Sequence, residues 1–246
     1  MQRQQIPNYK TAFKDALWNT KESSHYVFHY MQDSVAEREI QLIETTQENA
    51  YEKITKFLGL NSYPRRKIFY YLYPDTDAKE RLMGSPWFAQ SVYDDFAVHA
   101  LYTEEHRAIG PHEDTHLLSL PLGLSIGFLQ EGLAEYMAGQ SWHGESFERV
   151  VQDIRANPAF IISKDLLTKH NAWRETDDTY AQQYYALAAL FTSYLIVTFD
   201  KEKYFVLYKA LSRDATKSEN AQKYDEIFSL APDVLYAQFL STITKI

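Results

Sequence analysis

The chain has 246 residues, of which 45% are hydrophobic and 15% aromatic, and it carries a formal net charge of −8. This composition predicts an ordered globular protein with a sizeable core and argues against disorder. The acidic balance argues against nucleic acid or an anionic membrane as a partner. Because the sequence contains no cysteine, disulfides and thiol catalysis are excluded, and any zinc site must use histidine and carboxylate ligands.

The amino-terminal half predicts a small sheet with helices. Residues 1–24 are polar and predicted to be irregular, and they lack the apolar core of a secretory signal. The chain is therefore expected to be cytoplasmic, or exported with its signal peptide absent from this sequence. A capping box of Ser34 and Glu37 opens a predicted helix to Leu58. A shorter helix is predicted at 76–83. Strands are predicted where aromatic and β-branched residues cluster, at 25–31, 67–73, 91–93 and 96–102.

The segment that follows, Gly110–His116, contains the pattern H-E-x-x-H. Positions i and i+4 of a helix lie on one face, so His112 and His116 can direct two imidazoles at one metal ion. Glu113 can then reach a water molecule on that ion. Pro111 either starts this helix or kinks it just before the first histidine. A catalytic zinc site uses three protein ligands, so one more must come from elsewhere in the chain.

A second helix, predicted near 125–139, supplies two candidates for that ligand. Glu131 follows an apolar run at 126–129, and a carboxylate on an otherwise buried helix needs a partner because an unpaired buried charge is costly. Glu135 lies one turn later on the same face. Local context therefore favours Glu131 as the third ligand.

These residues resemble the gluzincin zinc metallopeptidases, the group that includes thermolysin and the aminopeptidase N-like enzymes, and small bacterial peptidase MA-like domains. The resemblance implies that His112 and His116 bind zinc, that Glu113 is the general base, and that Glu131 is the third ligand. It also implies that Glu135 orients a ligand histidine. The 14 residues between His116 and Glu131 are fewer than in thermolysin or the large aminopeptidases, whereas the 18 before Glu135 match the aminopeptidase gap. Spacing thus favours Glu135 and context favours Glu131. Context is given more weight, because the length of a loop between two helices is tolerant of change.

The same resemblance implies the fold. It predicts one α+β, zincin-like catalytic domain over residues 1–246. Its amino-terminal lobe, about 25–120, would hold a small mixed sheet with an edge strand, and its carboxy-terminal lobe, about 121–246, would be mainly helical, with zinc in the cleft between them. Residues 96–102 are the candidate edge strand, which can hold an extended peptide by strand addition. His99 on this strand is a candidate substrate contact.

The carboxy-terminal half predicts mostly helices. The longest uncharged stretch, 179–199, predicts a buried helix rather than a membrane span. By the resemblance, Tyr180 is the first candidate and Tyr184 the second to stabilise an oxyanion, although a structural role is the alternative among 19 tyrosines. His143 is a weaker candidate for the same oxyanion-stabilising role. The predicted helices lie near 125–139, 145–156, 165–170, 180–198, 201–212, 217–230 and 233–244.

The function expected from this pattern is that of a zinc-dependent metallopeptidase, with Zn²⁺ as cofactor and a peptide or protein as substrate. The alternatives are a catalytically silent zinc-binding module of the same fold, or a polar helix face with two solvated histidines. Glu113 argues against the silent module because a closed structural zinc site has no use for a base. Asp114 is expected to face solvent or to bond a neighbouring backbone group. The absence of an aminopeptidase-type Gly-x-Met-Glu-Asn loop favours an endopeptidase or a specialised substrate.

Overall fold

The computed structural model describes residues 16–61, 66–141, 144–157, 160 and 163–244. The chain divides into two compact units, Met1–Ser119 and Leu120–Ile246. The first unit contains a five-stranded mixed sheet, and the second is mainly helical. The α+β class and the helical carboxy-terminal part are therefore confirmed. That the two units make one peptidase-like domain stays a prediction.

The sheet of the first unit has the strand order β1-β2-β3-β5-β4. The two inner pairs, β2 with β3 and β3 with β5, are parallel, and the two outer pairs are antiparallel. The aromatic and β-branched clusters mark four of the five strands correctly. The strands are β1 (Trp18–Glu22), β2 (Tyr26–Met31), β3 (Ile68–Tyr73), β4 (Ala89–Val92) and β5 (Ala97–Leu101).

Two expectations for this sheet are wrong. Residues 18–22 are not irregular: they form outer strand β1, which pairs antiparallel with β2. Residues 96–102 are not the edge, because β5 lies between β3 and β4, and every residue of β5 is buried. Strand β4 is the edge at this side of the sheet. The first strand of the β4–β5 hairpin lies outermost because the second strand pairs with β3.

Four helices accompany the described part of this sheet. They are α1 (Val35–Arg38), α2 (Ile40–Leu58), α3 (Thr76–Met83) and α4 (Pro111–Leu118). The Ser34 hydroxyl caps α1 by accepting the Glu37 N–H at 3.1 Å. The predicted single helix is interrupted at Glu39, whose carboxylate accepts hydrogen bonds from Tyr102 and Arg107. Helix α2 ends at Leu58 and is capped by Gly59, which has a φ of 69°, a conformation that favours glycine.

The second unit is built on two closely packed helices, α5 (Gly127–Ala138) and α8 (Ala181–Phe199). A Cβ atom at Gly132 of α5 would lie 2.6 Å from the Ala188 carbonyl oxygen of α8, so the glycine lets the two backbones approach. No helix among the described residues has the length and apolarity that a membrane crossing requires. The remaining helices are α6 (Phe147–Ala156), α7 (His170–Arg174), α9 (Lys201–Ala210), α10 (Lys217–Phe228) and α11 (Pro232–Thr244).

Candidate metal centre

Helix α4 carries the H-E-x-x-H pattern, and its start is defined by local sequence. Gly110 precedes it with a φ of 115°, a left-handed conformation that other residues rarely adopt. Pro111 occupies the first helical position, where its fixed φ is compatible with a helix and its missing N–H has no helical partner to lose. Of the two predicted roles of Pro111, the structure therefore shows the helix start.

The two histidines of α4 lie one turn apart, and their ring centroids are 5.1 Å from each other. His116 is buried, with 8% of its surface exposed, and His112 is half-buried. One ligand atom each of His112, His116 and Glu131 lies within 4.8 Å of the others. Among the described residues this group contains Glu131 and not Glu135. The assignment of Glu131 as a ligand stays a proposal.

The chemistry of this group fits zinc. Two imidazole nitrogens and one carboxylate oxygen are the ligand set of known catalytic zinc sites. Zinc–ligand bonds of about 2.0–2.2 Å separate tetrahedral ligand atoms by roughly 3.3–3.6 Å. Ligand atoms within 4.8 Å of one another can reach that separation by small side-chain rotations.

The carboxyl group of Glu113 is held by the edge strand. The Ser91 hydroxyl on β4 lies 2.6 Å from Glu113 Oε2 and 2.9 Å from the Glu113 carbonyl oxygen. A hydroxyl has one proton to donate, so these two acceptors share it. The carboxylate next to the metal-ligand candidates therefore has a defined orientation, and the sequence pattern did not identify Ser91.

A buried lysine orders the segment that leads into β4. Lys79 of α3 is fully buried, and its Nζ donates to the Trp87 carbonyl oxygen at 2.6 Å and to Gln90 Oε1 at 3.2 Å. Burial lowers the pKa of Lys79 to about 8, while the negative charge of Glu113 acts in the opposite direction. Lys79 thus positions the start of the strand that carries Ser91. In the sequence, Lys79 lies three residues before Leu82 and four before Met83, and this position gives no sign that its ammonium group is buried.

The other predicted site residues are placed as follows. Glu135 of α5 is fully buried. Tyr180 lies at the start of α8, and its ring contacts Phe160 at a centroid distance of 5.5 Å. Tyr184, one turn later, is buried against the same phenylalanine at 4.9 Å, and burial raises its pKa. Their catalytic roles stay predictions. His143 lies outside the described residues.

His99 does not occupy the position predicted for it. It is fully buried on the interior strand β5, its Nδ1 is hydrogen-bonded to the Tyr73 hydroxyl at 2.8 Å, and its ring stacks on Tyr71. Burial lowers its pKa to about 3. A buried side chain on an interior strand cannot contact a peptide that adds to the sheet edge, so the basis for a substrate contact by His99 is lost.

The expectation for Asp114 is also wrong. Its side chain is fully buried and accepts hydrogen bonds at Oδ2 from the Tyr26 hydroxyl, at 2.5 Å, and from Gln47 Nε2, at 2.9 Å. Burial raises the pKa of Asp114 to about 8. The signal in the sequence is Gln47, a polar residue on the otherwise apolar stripe of α2 that includes Ile43 and Ala50.

Comparisons with known proteins agree with this fold. No family model and no curated protein matches the sequence. Among solved structures, an M1 zinc metallopeptidase variant from Deinococcus radiodurans is similar, with 13% sequence identity and a TM-score of 0.52. The match covers 89% of this chain and 51% of that chain, so this chain spans about half the length of the M1 protein. The chain therefore has a fold similar to that of an M1 metallopeptidase.

Proposed function

We propose that this protein is a zinc-dependent peptidase that hydrolyses peptide bonds. The observation that carries the proposal is the group of His112, His116 and Glu131, whose ligand atoms lie within 4.8 Å of one another. Glu113, the residue after the first histidine, provides a carboxylate that the ligand set itself does not use. The similarity in fold to an M1 zinc metallopeptidase supports the same class of reaction.

His112, His116 and Glu131 would hold the zinc, and Glu135 on α5 is the candidate to orient a ligand histidine. When bound, zinc supplies a Lewis acid that polarises a carbonyl group and lowers the pKa of water. Three protein ligands would leave one zinc position for a reactant, and an open position is typical of a catalytic rather than a structural site.

Glu113 is the proposed general base. Its carboxylate takes a proton from the attacking water and delivers it to the leaving amine, so that the proton released in the first step is used in the second. The hydrogen bond from Ser91 at 2.6 Å keeps the carboxylate oriented for both transfers. Tyr180, or Tyr184 in second place, would donate a hydrogen bond to the oxyanion that forms at the scissile carbonyl.

The proposed substrate is an extended peptide or protein segment. Strand β4 is an edge of the sheet and offers backbone N–H and C=O groups on the side that does not face β5. A peptide can add to such an edge as a further strand. Because Ser91 of β4 also contacts Glu113, a peptide bound at this edge would lie near the proposed base.

The proposal is tested with the wild-type protein and Glu113→Gln, both loaded with zinc and incubated with a mixed peptide library. The substitution removes the base and preserves side-chain size. We expect the wild type to cleave peptides, and the variant to bind one zinc per chain and lose at least about 100-fold in turnover. Equal cleavage by the two proteins would contradict the role of Glu113. Zinc binding without cleavage by the wild type would instead indicate a silent zinc-binding module.

A further inference from the structure

Three fully buried polar side chains meet behind the H-E-x-x-H helix. Tyr26 comes from β2, Gln47 from α2 and Asp114 from α4. The Tyr26 hydroxyl is 2.5 Å from Asp114 Oδ2 and 3.0 Å from the backbone carbonyl oxygen of Gln47. Gln47 Nε2 donates to the same Asp114 oxygen at 2.9 Å. The three residues form a closed hydrogen-bonded network that joins a strand and two helices.

Both ends of the Gln47 carboxamide contact the first turn of α4. Its Oε1 accepts the N–H of Gly110, the residue just before the helix, at 2.6 Å. Its Nε2 donates to Asp114, four residues further on. One side chain thus satisfies a backbone donor that no helical carbonyl can reach and also fixes the side chain one turn later. Glutamine can do both because its amide has an acceptor and a donor.

The geometry of a helix relates this contact to the histidines. Asp114 lies two residues after His112 and two before His116, which places it roughly 200° around the helix from either one. The network therefore holds the back of α4, whereas the two imidazoles lie on the opposite side. A buried polar network contributes little net stability compared with well-packed apolar side chains, but it restricts the helix to one orientation.

We propose that Gln47 is a positioning residue for the metal site, because its contacts to Gly110 and Asp114 fix the rotation and the start of the helix that carries His112 and His116. This inference rests on the proposed function, since it assigns the network to the zinc site of the peptidase. Tyr26 completes the network from the sheet. Gln47 itself contacts neither metal nor substrate, and its effect on the histidines passes through the helix backbone.

The experiment measures zinc affinity by competition with a chromophoric chelator and records the absorption spectrum of the Co²⁺-loaded protein. Gln47→Met removes both hydrogen bonds at similar volume, and we expect zinc affinity to fall about tenfold, with a changed cobalt spectrum. Ile54→Val is the matched control. Ile54 is fully buried on the same helix, roughly 10 Å further along its axis. This control is expected to lower thermal stability and leave both metal readouts unchanged.

A second pair of variants decides the question if Gln47→Met folds poorly. Gln47→Glu still accepts the Gly110 N–H but sets a second carboxyl group against Asp114, so zinc affinity should fall. Adding Asp114→Asn restores a hydrogen bond between positions 47 and 114 with donor and acceptor exchanged. Affinity should then return to within about threefold of the wild type.

The outcomes separate this inference from the proposed function. If the wild type binds no zinc, the proposed function fails and the inference fails with it. If the wild type binds zinc and Gln47→Met binds it equally well with the same cobalt spectrum, the positioning role alone is overturned. The same holds if Gln47→Glu loses no affinity, or if the double variant recovers none.

Discussion

Replacing Gly132 with alanine tests how α5, which also carries Glu131, is packed. An added Cβ would lie 2.6 Å from the Ala188 carbonyl oxygen and 2.7 Å from Thr192 Oγ1. Unstrained contacts of a carbon atom require about 3.5 Å, so α5 and α8 must separate by on the order of 0.9 Å at this point. The obstacle is backbone, which cannot rotate out of the way as a flexible side chain can.

The magnitude follows from two opposing effects. Overpacking of a close contact costs about 1–3 kcal/mol, and a fixed carbonyl places this site at the upper end of that range. Alanine in place of glycine within a helix regains about 1 kcal/mol. The net loss is therefore about 2 kcal/mol, which corresponds to a fall in Tm of roughly 4–8 °C for a chain of this length.

Urea and thermal unfolding of the metal-free protein, followed by circular dichroism, measure this loss. A double variant, Gly132→Ala with Thr192→Ala, loses the contact of the new Cβ with the Thr192 hydroxyl but keeps the contact with the Ala188 carbonyl oxygen. This double variant should therefore recover little stability. A Gly132→Ala protein as stable as the wild type would refute the packing argument. Full recovery in the double variant would show that the hydroxyl, and not the backbone, limits the approach of the helices.

Two further predictions concern hydrogen bonds. Ser91→Ala removes a hydrogen bond to the Glu113 carboxylate. A hydrogen bond to a charged group contributes about 1.5–3 kcal/mol. We therefore expect kcat to fall tenfold or more while the zinc content is unchanged. Ser91→Thr keeps the hydroxyl as a control, and an unaltered kcat in the alanine variant would contradict the orienting role. His170 Nδ1 accepts the Gly127 N–H at 3.0 Å. Burial is the main cause that lowers the pKa of His170 from 6.5. The neutral imidazole therefore contributes its full stabilisation above pH 6.5, and this contribution is lost as the pH falls below that value. The difference in unfolding free energy between wild type and His170→Gln should therefore shrink from about pH 8 to about pH 5, and a constant difference would be evidence against this assignment.

The features that could be predicted from the sequence are those that depend on neighbours along the chain. The i, i+4 spacing of His112 and His116 requires only a helix, and Gly110 and Pro111 mark where that helix begins. The apolar run before Glu131 is a local signal too, and it is the reason that Glu131 is proposed as a ligand. Clusters of aromatic and β-branched residues mark four strands for the same local reason.

The features that could not be predicted depend on distant parts of the chain. Strand order is decided by pairing between segments far apart in sequence. The prediction therefore placed β5 at the sheet edge, whereas the edge strand is β4. Strand β1 is mostly polar and half-exposed, so its strand conformation depends on backbone pairing with β2. Local sequence predicts that Asp114 faces solvent or bonds a neighbouring backbone group, because its actual partners, Tyr26 and Gln47, lie 88 and 67 residues away.

Anomalous diffraction at the zinc edge from crystals of the zinc-loaded protein tests the metal site most directly. One strong peak is expected, about 2.0–2.2 Å from a nitrogen of His112, a nitrogen of His116 and a carboxylate oxygen of Glu131, with a further position free of protein ligands. A peak elsewhere, a peak bound by Glu135 in place of Glu131, or a site closed by four protein ligands would contradict the proposed centre.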